Sequence, residues 1–147
     1  MINITKTIQK ILEKHYYLHL YAITQLVRNE GVLDADVKNA EDMINGLILE
    51  DIKTNGINST FIKVGLEQYA LRKESELENL FSYIKCRLSN FIFWEINHHD
   101  IKYSNELFGK DIFSEIGKLH VMLDKLKSNG KIASYTPISN KQVIVGF

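Results

Sequence analysis

The chain has 147 residues, of which 45% are hydrophobic and 24% charged, the balance of an ordinary globular protein with one average domain or two small ones. Its 18 basic side chains match its 18 acidic ones, and residues 1–73 and 74–147 each hold nine of either sign. A dedicated nucleic-acid-binding protein usually carries a basic excess, so any surface for DNA must be local.

Three features predict a cytoplasmic protein without a membrane segment. The single cysteine, Cys86, cannot form an internal disulfide and suits a reducing compartment. The N-terminus alternates apolar residues with Lys6, Lys10 and Glu13, which is not the pattern of a signal peptide. The longest apolar run, residues 91–94, is far too short to cross a bilayer.

The first half of the chain predicts three helices followed by a β-hairpin. A second helix runs from Leu18 to Asn29 with Gly31 as its stop signal, and a third ends near Asn55-Gly56. The residues predicted to face inward are Ile4, Ile8, Ile11 and Leu12 on the first helix, Ala22, Ile23, Leu26 and Val27 on the second, and Ala40, Met43, Ile44, Leu47, Ile48 and Ile52 on the third. Residues 61–64 and 68–71 predict a hairpin with its turn around Gly65.

The second half predicts the same kinds of element again. Ser75, with Glu78 three residues later, predicts the cap of a helix that carries Leu77, Leu80, Phe81, Ile84, Leu88 and Phe91 on its inner face. Residues 91–96 are compatible with a short strand. Ser104 predicts the cap of a brief helix that runs through Leu107-Phe108 and is broken at Gly109.

A long helix and a second hairpin complete the second half. The inner face of the helix is predicted to contain Ile112, Ile116, Leu119, Leu123 and Leu126, and its end lies at Asn129-Gly130. Strands are predicted near residues 131–135 and 142–147, with Pro137 on an edge or beside the turn. Leu47 and Leu123, each at the centre of its third helix, are expected to be fully buried.

Three helices followed by a hairpin is the order of a winged helix, a variant of the helix-turn-helix. The predicted fold is therefore α+β, mainly helical, with two tandem winged-helix modules in residues 1–73 and 74–147. The charged residues Arg72-Lys73-Glu74 mark the boundary between them.

Residues 5–72 resemble the HARE-HTH domain, a winged helix of restriction-associated and chromatin proteins, and are similar to the N-terminal domain of the bacterial RNA polymerase delta subunit. The matching residues are Leu18-His19, Ile23-Thr24, Leu49, Asp51-Ile52, Asn55-Gly56, Phe61, Lys63-Val64-Gly65 and Tyr69-Ala70-Leu71-Arg72. The chain departs from the family at Asp34-Ala35-Asp36-Val37, where Thr-Pro often precedes the third helix. The resemblance implies a link to DNA, including modified DNA, and supplies no catalytic residue.

The third helix of the first module is a poor match for DNA by charge. It carries two lysines, Lys38 and Lys53, and four acidic residues, Glu41, Asp42, Glu50 and Asp51. Two interpretations remain open: DNA is reached through the hairpin, where Lys63 and Arg72 are the candidate contacts, or this helix faces a protein.

The second module has a local basic excess, with six lysines against three acidic residues between residues 110 and 141. The candidate DNA contacts are Lys110, Ser114, Lys118, Lys125, Lys127, Lys131, Tyr135 and Lys141. A solvated helix face with ordinary lysines is the alternative.

The chain offers weak signals for chemistry. His98-His99-Asp100 lies near Glu95, but adjacent histidines on a strand point to opposite faces, so a role in a loop or a helix start is favoured over a metal site. His19 is likewise expected to help start the second helix. The tripeptides at residues 36–38, 51–53 and 100–102 fit half of a restriction-nuclease site, which also needs a separate carboxylate for magnesium. We expect no catalytic residue, metal or cofactor.

The leading hypothesis is a DNA-binding accessory or regulatory protein, not an enzyme, that binds double-stranded DNA, plain or modified, in transcription regulation or restriction-modification. The alternative is an adaptor that docks on a protein partner such as a polymerase or nuclease.

Overall fold

A computed structural model of the chain describes residues 3–33, 37–89, 92–114 and 116–147. The fold is α+β, with two three-stranded antiparallel sheets among the described residues. The chain divides into two compact units, Met1–Arg72 and Lys73–Phe147, called unit 1 and unit 2 below. In the part of the chain that the structure describes, every helix is too short or too polar to cross a membrane.

The described residues of unit 1 form three α-helices, one short 3₁₀ helix and one sheet. Its elements in chain order are α1 (Ile4–Leu12), β1 (Leu18–His19), α2 (Leu20–Asn29), α3 (Ala40–Asn55), a short 3₁₀ helix (Gly56–Asn58), β2 (Phe61–Gly65) and β3 (Gln68–Leu71). The sheet has the order β1-β3-β2, so the last strand of the unit lies at its centre. The predicted hairpin and the predicted end of the third helix are confirmed.

The core of unit 1 lies between its helices and its sheet. It contains Ile8 and Leu12 of α1, Ile23 and Val27 of α2, Ile44 and Ile48 of α3, and Phe61 and Tyr69 of the sheet. The apolar spacings of α1 and α2 place these side chains on one face of each helix, as the sequence predicts. Gly31 follows α2 with a φ of 75°, a left-handed conformation that glycine adopts without steric cost.

Two predictions for unit 1 are wrong. Leu18 and His19 form a short strand paired with β3, and α2 begins only at Leu20. Leu47 is 37% exposed, as is Met43, whereas Ala40, Ile44 and Ile48 face the core at a spacing of four residues. Since α3 carries apolar side chains on both flanks of that inner row, its pattern does not decide by itself which face is buried.

Unit 2 repeats the element order of unit 1. Its elements are α4 (Glu76–Arg87), β4 (Phe93–Glu95), α5 (His98–Phe108), α6 (Ile116–Ser128), β5 (Ser134–Ser139) and β6 (Gln142–Gly146). The sheet has the order β4-β6-β5, so its last strand is again central and its first strand again pairs with the last. Pro137 lies on the edge strand β5, which confirms its predicted placement.

Several boundaries in unit 2 differ from the prediction. α4 is capped by Ser75 as predicted but ends at Arg87. α5 is capped by Asn97, in a capping box with Asp100, while Ser104 is buried inside the helix. Ile112 is buried but lies before α6 begins, and β5 starts at Ser134. The predictions for Phe91, for residues 34–36 and for the side chain of Ile116 lie outside the described residues.

The core of unit 2 is aromatic. Trp94 of β4 and Tyr83 of α4 are almost fully buried, and both rings contact Phe113, with centroid distances of 5.2 Å and 5.4 Å. Leu119, Leu123 and Leu126 bury the inner face of α6. Leu123 is 1% exposed, which confirms its predicted burial.

Candidate nucleic-acid interface

A groove in unit 2 gathers three of the lysines that the sequence nominates. It has a volume of about 630 Å³ and lies between the start of α4 and the exposed side of α6. Its charged lining residues are Lys110, Lys118, Lys125 and Glu76, and its apolar ones are Leu77, Ile112, Val121 and Met122. We call this the lysine groove. It brings together one lysine outside α6 and two lysines on α6.

The helical period of α6 places its two groove lysines. Leu119, Leu123 and Leu126 take the buried side of the helix, so Lys118, Val121 and Lys125, at spacings of three and four, share the exposed side. Val121 is 54% exposed and lies between the two lysines. The lysines are therefore held on a helix whose opposite face is anchored in the core.

Lys110 reaches the groove from the connection between α5 and α6. Gly109 ends α5 with a φ of 69°, and the buried hydroxyl of Ser104 fixes the following turn. That hydroxyl donates to the carbonyl of Lys110 at 2.8 Å and accepts the backbone N–H of Ile112 at 2.9 Å. Ser104 therefore positions the backbone of Lys110. The sequence had predicted a different role for Ser104, that of a helix cap.

Two of the groove lysines have acidic neighbours. The ammonium of Lys110 lies 3.5 Å from a carboxylate oxygen of Glu76, but both side chains are more than half exposed, and such pairs contribute little. Burial acts to raise the pKa of Asp111, but hydrogen bonds from Ser114 and Phe113 and the charge of Lys118 lower it below its usual value. Asp111 is thus an anion close to the groove.

The predicted contact Ser114 is engaged within its own turn. Its hydroxyl donates to the carboxylate of Asp111, and its backbone N–H donates to the same carboxylate at 3.0 Å. Because the hydroxyl already donates its hydrogen bond to Asp111, it can only accept further hydrogen bonds. The oxygens of a phosphate diester are also acceptors, so they cannot bond to it.

The remaining candidates of unit 2 lie outside the lysine groove. Lys127, Lys131 and Lys141 are exposed, and the ammonium of Lys131 lies 5.6 Å from the ring centre of Phe81. The hydroxyl of Tyr135 donates to the carboxylate of Asp124, a bond that raises the pKa of Tyr135. Lys127 thus lies on α6, Lys131 in the connection to β5, and Tyr135 and Lys141 on the second hairpin, all outside the lining of the groove.

In unit 1, Arg72 stabilises its own loop. Its Nε donates to the carbonyl of Ser59 at 3.1 Å and its Nη2 to the carbonyl of Gly56 at 3.3 Å. Burial lowers the pKa of Arg72, opposed by the charge of Asp51. Lys63 is half-buried on β2. A guanidinium with these contacts has fewer donors left for a phosphate.

In two of the three tripeptides that resemble a nuclease site the aspartate has a structural role, and Asp36 of the third lies outside the described residues. Asp51 accepts the backbone N–H groups of Thr60 and Phe61, at 2.8 Å and 3.1 Å, and so ties α3 to the start of β2. Asp100 is buried and accepts from Nε of Arg87 at 3.0 Å and from the hydroxyl of Tyr83. The carboxylates point into the fold.

His19, His98 and His99 lie at helix starts. His98 and His99 open α5, and the Nδ1 atom of His19 accepts the backbone N–H of Tyr21 at 3.0 Å to cap α2. This agrees with the helix-start role predicted for His19 and with the loop or helix-start role predicted for His98 and His99. Among the described residues, no group of three or more His, Cys, Asp or Glu side chains is arranged to hold a metal ion.

Sequence reasoning missed a second basic surface, on α1. Lys10, Lys14 and His15 line a groove of about 430 Å³ between α1 and α2. The signal was present in the sequence, since Lys6, Lys10 and Lys14 recur every four residues with Glu13 as the one acid among residues 3–16. The even count of charges over the whole half concealed this local excess.

Comparison of the chain with protein-family models, with curated protein sequences and with solved structures finds no match.

Proposed function

We propose that both units are winged-helix modules, the first of the HARE-HTH type. The repeated topology supports this proposal. Each unit contains a helix, a short strand, two helices and a hairpin, and in each sheet the short strand pairs with the last strand. In this arrangement α3 and α6 are the third helices, the position that a helix-turn-helix presents to DNA.

The protein, in this proposal, is a DNA-binding accessory or regulatory protein that binds duplex DNA through unit 2. The observation that carries it is the lysine groove, where Lys110, Lys118 and Lys125 surround the exposed face of the third helix of unit 2. A cluster of cations attracts phosphates and releases their condensed counterions. The HARE-HTH resemblance adds a role in transcription regulation or restriction-modification, with plain or modified DNA as ligand.

The side chains of α6 favour binding without strong sequence preference. Direct readout in the major groove relies mainly on Arg, Asn and Gln, or on lysine to guanine. Residues 116–128 contain none of the first three, so Lys118, Lys125 and Lys127 supply charge with little base discrimination. With zero net charge over the chain, the expected affinity is modest and falls steeply with salt.

Replacing both groove lysines of α6 tests this function. The Lys118→Glu/Lys125→Glu variant of the full chain should bind a labelled 30-base-pair duplex at least about tenfold more weakly, and its log–log salt slope should fall by about two. Fluorescence anisotropy at several salt concentrations measures both quantities. A Lys53→Glu/Lys102→Glu variant makes the same charge change at exposed positions outside the groove and should bind within about twofold of the parent. Equal losses in the two variants, or no loss, would contradict the proposal.

A protein adaptor is the second candidate function, and the surface of α3 favours it. Met43, Leu47 and Leu49 are each 37–38% exposed, next to the acidic residues Glu41, Asp42 and Glu50. A third helix with this face repels phosphate but suits a partner with apolar and basic groups. If the parent fails to bind plain or base-modified duplex even at low salt, the adaptor function replaces the DNA-binding one.

A further inference from the structure

Unit 1 separates its charges onto different helices. Lys6 and Lys10 lie on the side of α1 opposite the buried Ile8 and Leu12, and Lys14 follows just beyond the helix end. α3 carries four of the nine acidic residues of the unit, Glu41, Asp42, Glu50 and Asp51. Unit 1 carries eight basic and nine acidic residues in total, yet its described residues include a basic surface centred on α1.

The basic surface borders a groove that a phosphate can enter. Lys10, Lys14 and His15 line this groove, which has a volume of about 430 Å³, and Thr7 and Asn29 add polar groups to it. Glu30 is the acid among its lining residues. Among the described residues, the ion pairs within 4 Å involve His19, Arg87 and Lys110. Lys6, Lys10 and Lys14 are exposed and take part in none of these pairs.

We propose that this α1 groove is a second phosphate-contacting surface, through which unit 1 binds the backbone of the same duplex DNA as unit 2. The inference rests on the proposed DNA binding by unit 2 and assigns to unit 1 a contact by α1, instead of by its hairpin or its acidic third helix.

Two physical reasons connect the groove with DNA. A chain with zero net charge has no long-range basic field, so each lysine cluster alone gives weak binding. Joining two weak clusters on one chain makes the second contact intramolecular, which raises the affinity well beyond that of either cluster. Arg72 is less suited to this task because its guanidinium is bonded to the carbonyls of Ser59 and Gly56.

The test is the Lys10→Glu/Lys14→Glu variant of the full chain, titrated with the labelled 30-base-pair duplex by anisotropy at several salt concentrations. We expect affinity to fall at least about tenfold and the salt slope to fall by about two. A Lys38→Glu/Lys53→Glu variant makes the same change at exposed positions of unit 1 outside this groove and should bind within about twofold of the parent. A Lys10→Gln/Lys14→Gln variant removes charge without adding acid and should lower the slope similarly.

The outcomes separate this inference from the proposed function. If Lys118→Glu/Lys125→Glu weakens binding but the α1 variants bind like the parent, unit 2 binds DNA and the α1 proposal is wrong. Equal losses from the α1 variants and the Lys38/Lys53 control would also overturn it, because they would show a general charge effect. If the α1 lysines only stabilise their helix end, the variants lower the melting temperature and leave the salt slope unchanged, which again overturns it.

Discussion

Two leucines at the centres of third helices have opposite environments and give a matched test of the cores. Leu123 of α6 is 1% exposed and Leu47 of α3 is 37% exposed. Leu123→Ala should lower the free energy of unfolding by about 2–5 kcal/mol, since it removes buried methyl groups and leaves a cavity. Leu47→Ala should cost roughly 1 kcal/mol or less, since much of that side chain already contacts water.

Urea unfolding of the two variants followed by circular dichroism measures both values, with the parent as reference. Similar losses for the two leucines would show that α3 buries the Leu47 face. The structural reason for the difference is the row Ala40, Ile44 and Ile48, which takes the inner side of α3 and turns Leu47 toward its edge. Spacing alone could not reveal this, because Met43 and Leu47 form an equally regular apolar row.

At the scale of an element, α5 depends on its N-terminal cap. The side chain of Asn97 accepts the backbone N–H groups of His99 and Asp100 at 2.9 Å and 3.3 Å, and Asp100 accepts the N–H of Asn97 at 2.9 Å. Asn97→Ala should therefore lower the free energy of unfolding by about 1 kcal/mol. Asn105→Ala, at an exposed position inside the same helix, is the control for the loss of an asparagine side chain in denaturant unfolding. A cost at Asn97 no larger than at Asn105 would contradict the capping role.

Element types could be predicted from the sequence more reliably than element starts. The hairpins followed from their period of two and the helix ends from Gly31 and Gly109, since these signals are local. β1 could not be predicted, because the two residues Leu18 and His19 are too few to alternate and pair only through β3, which is remote in sequence. The true cap of α5 was missed because Ser104 offered an equally good local signal.

The candidate site also has a part that could be predicted from the sequence and a part that could not. Lys118 and Lys125 could be paired from their spacing of seven on one helix. Their association with Lys110 could not be predicted, because it depends on the fold of the α5–α6 connection and on the bonds of Ser104. The sequence likewise could not show that the hydroxyl of Ser114 donates to Asp111. Nor could it show that the guanidinium of Arg72 donates to the carbonyls of Ser59 and Gly56.

At the scale of the whole molecule, each unit has its own sheet and its own buried residues. Among the described residues, β1 to β3 pair only with one another, and so do β4 to β6. A unit with a complete core and a complete set of strand partners has what cooperative folding requires. Small size is the opposing factor, since domains of about 70 residues bury a smaller fraction of their surface and are correspondingly marginal in stability.

We therefore expect fragments 1–72 and 73–147, produced separately, to fold. Each should show helical circular dichroism and a single cooperative urea transition. A fragment of residues 1–59 is the control, because it retains all three helices of unit 1 but lacks β2 and β3, which supply Phe61 and Tyr69 to the core and pair with β1. It should lose the cooperative transition even if some helix remains, since isolated helices of this length are marginal in water. A cooperative transition in the 1–59 fragment, or none in 1–72, would show that the stability of unit 1 does not come from the core and sheet described above.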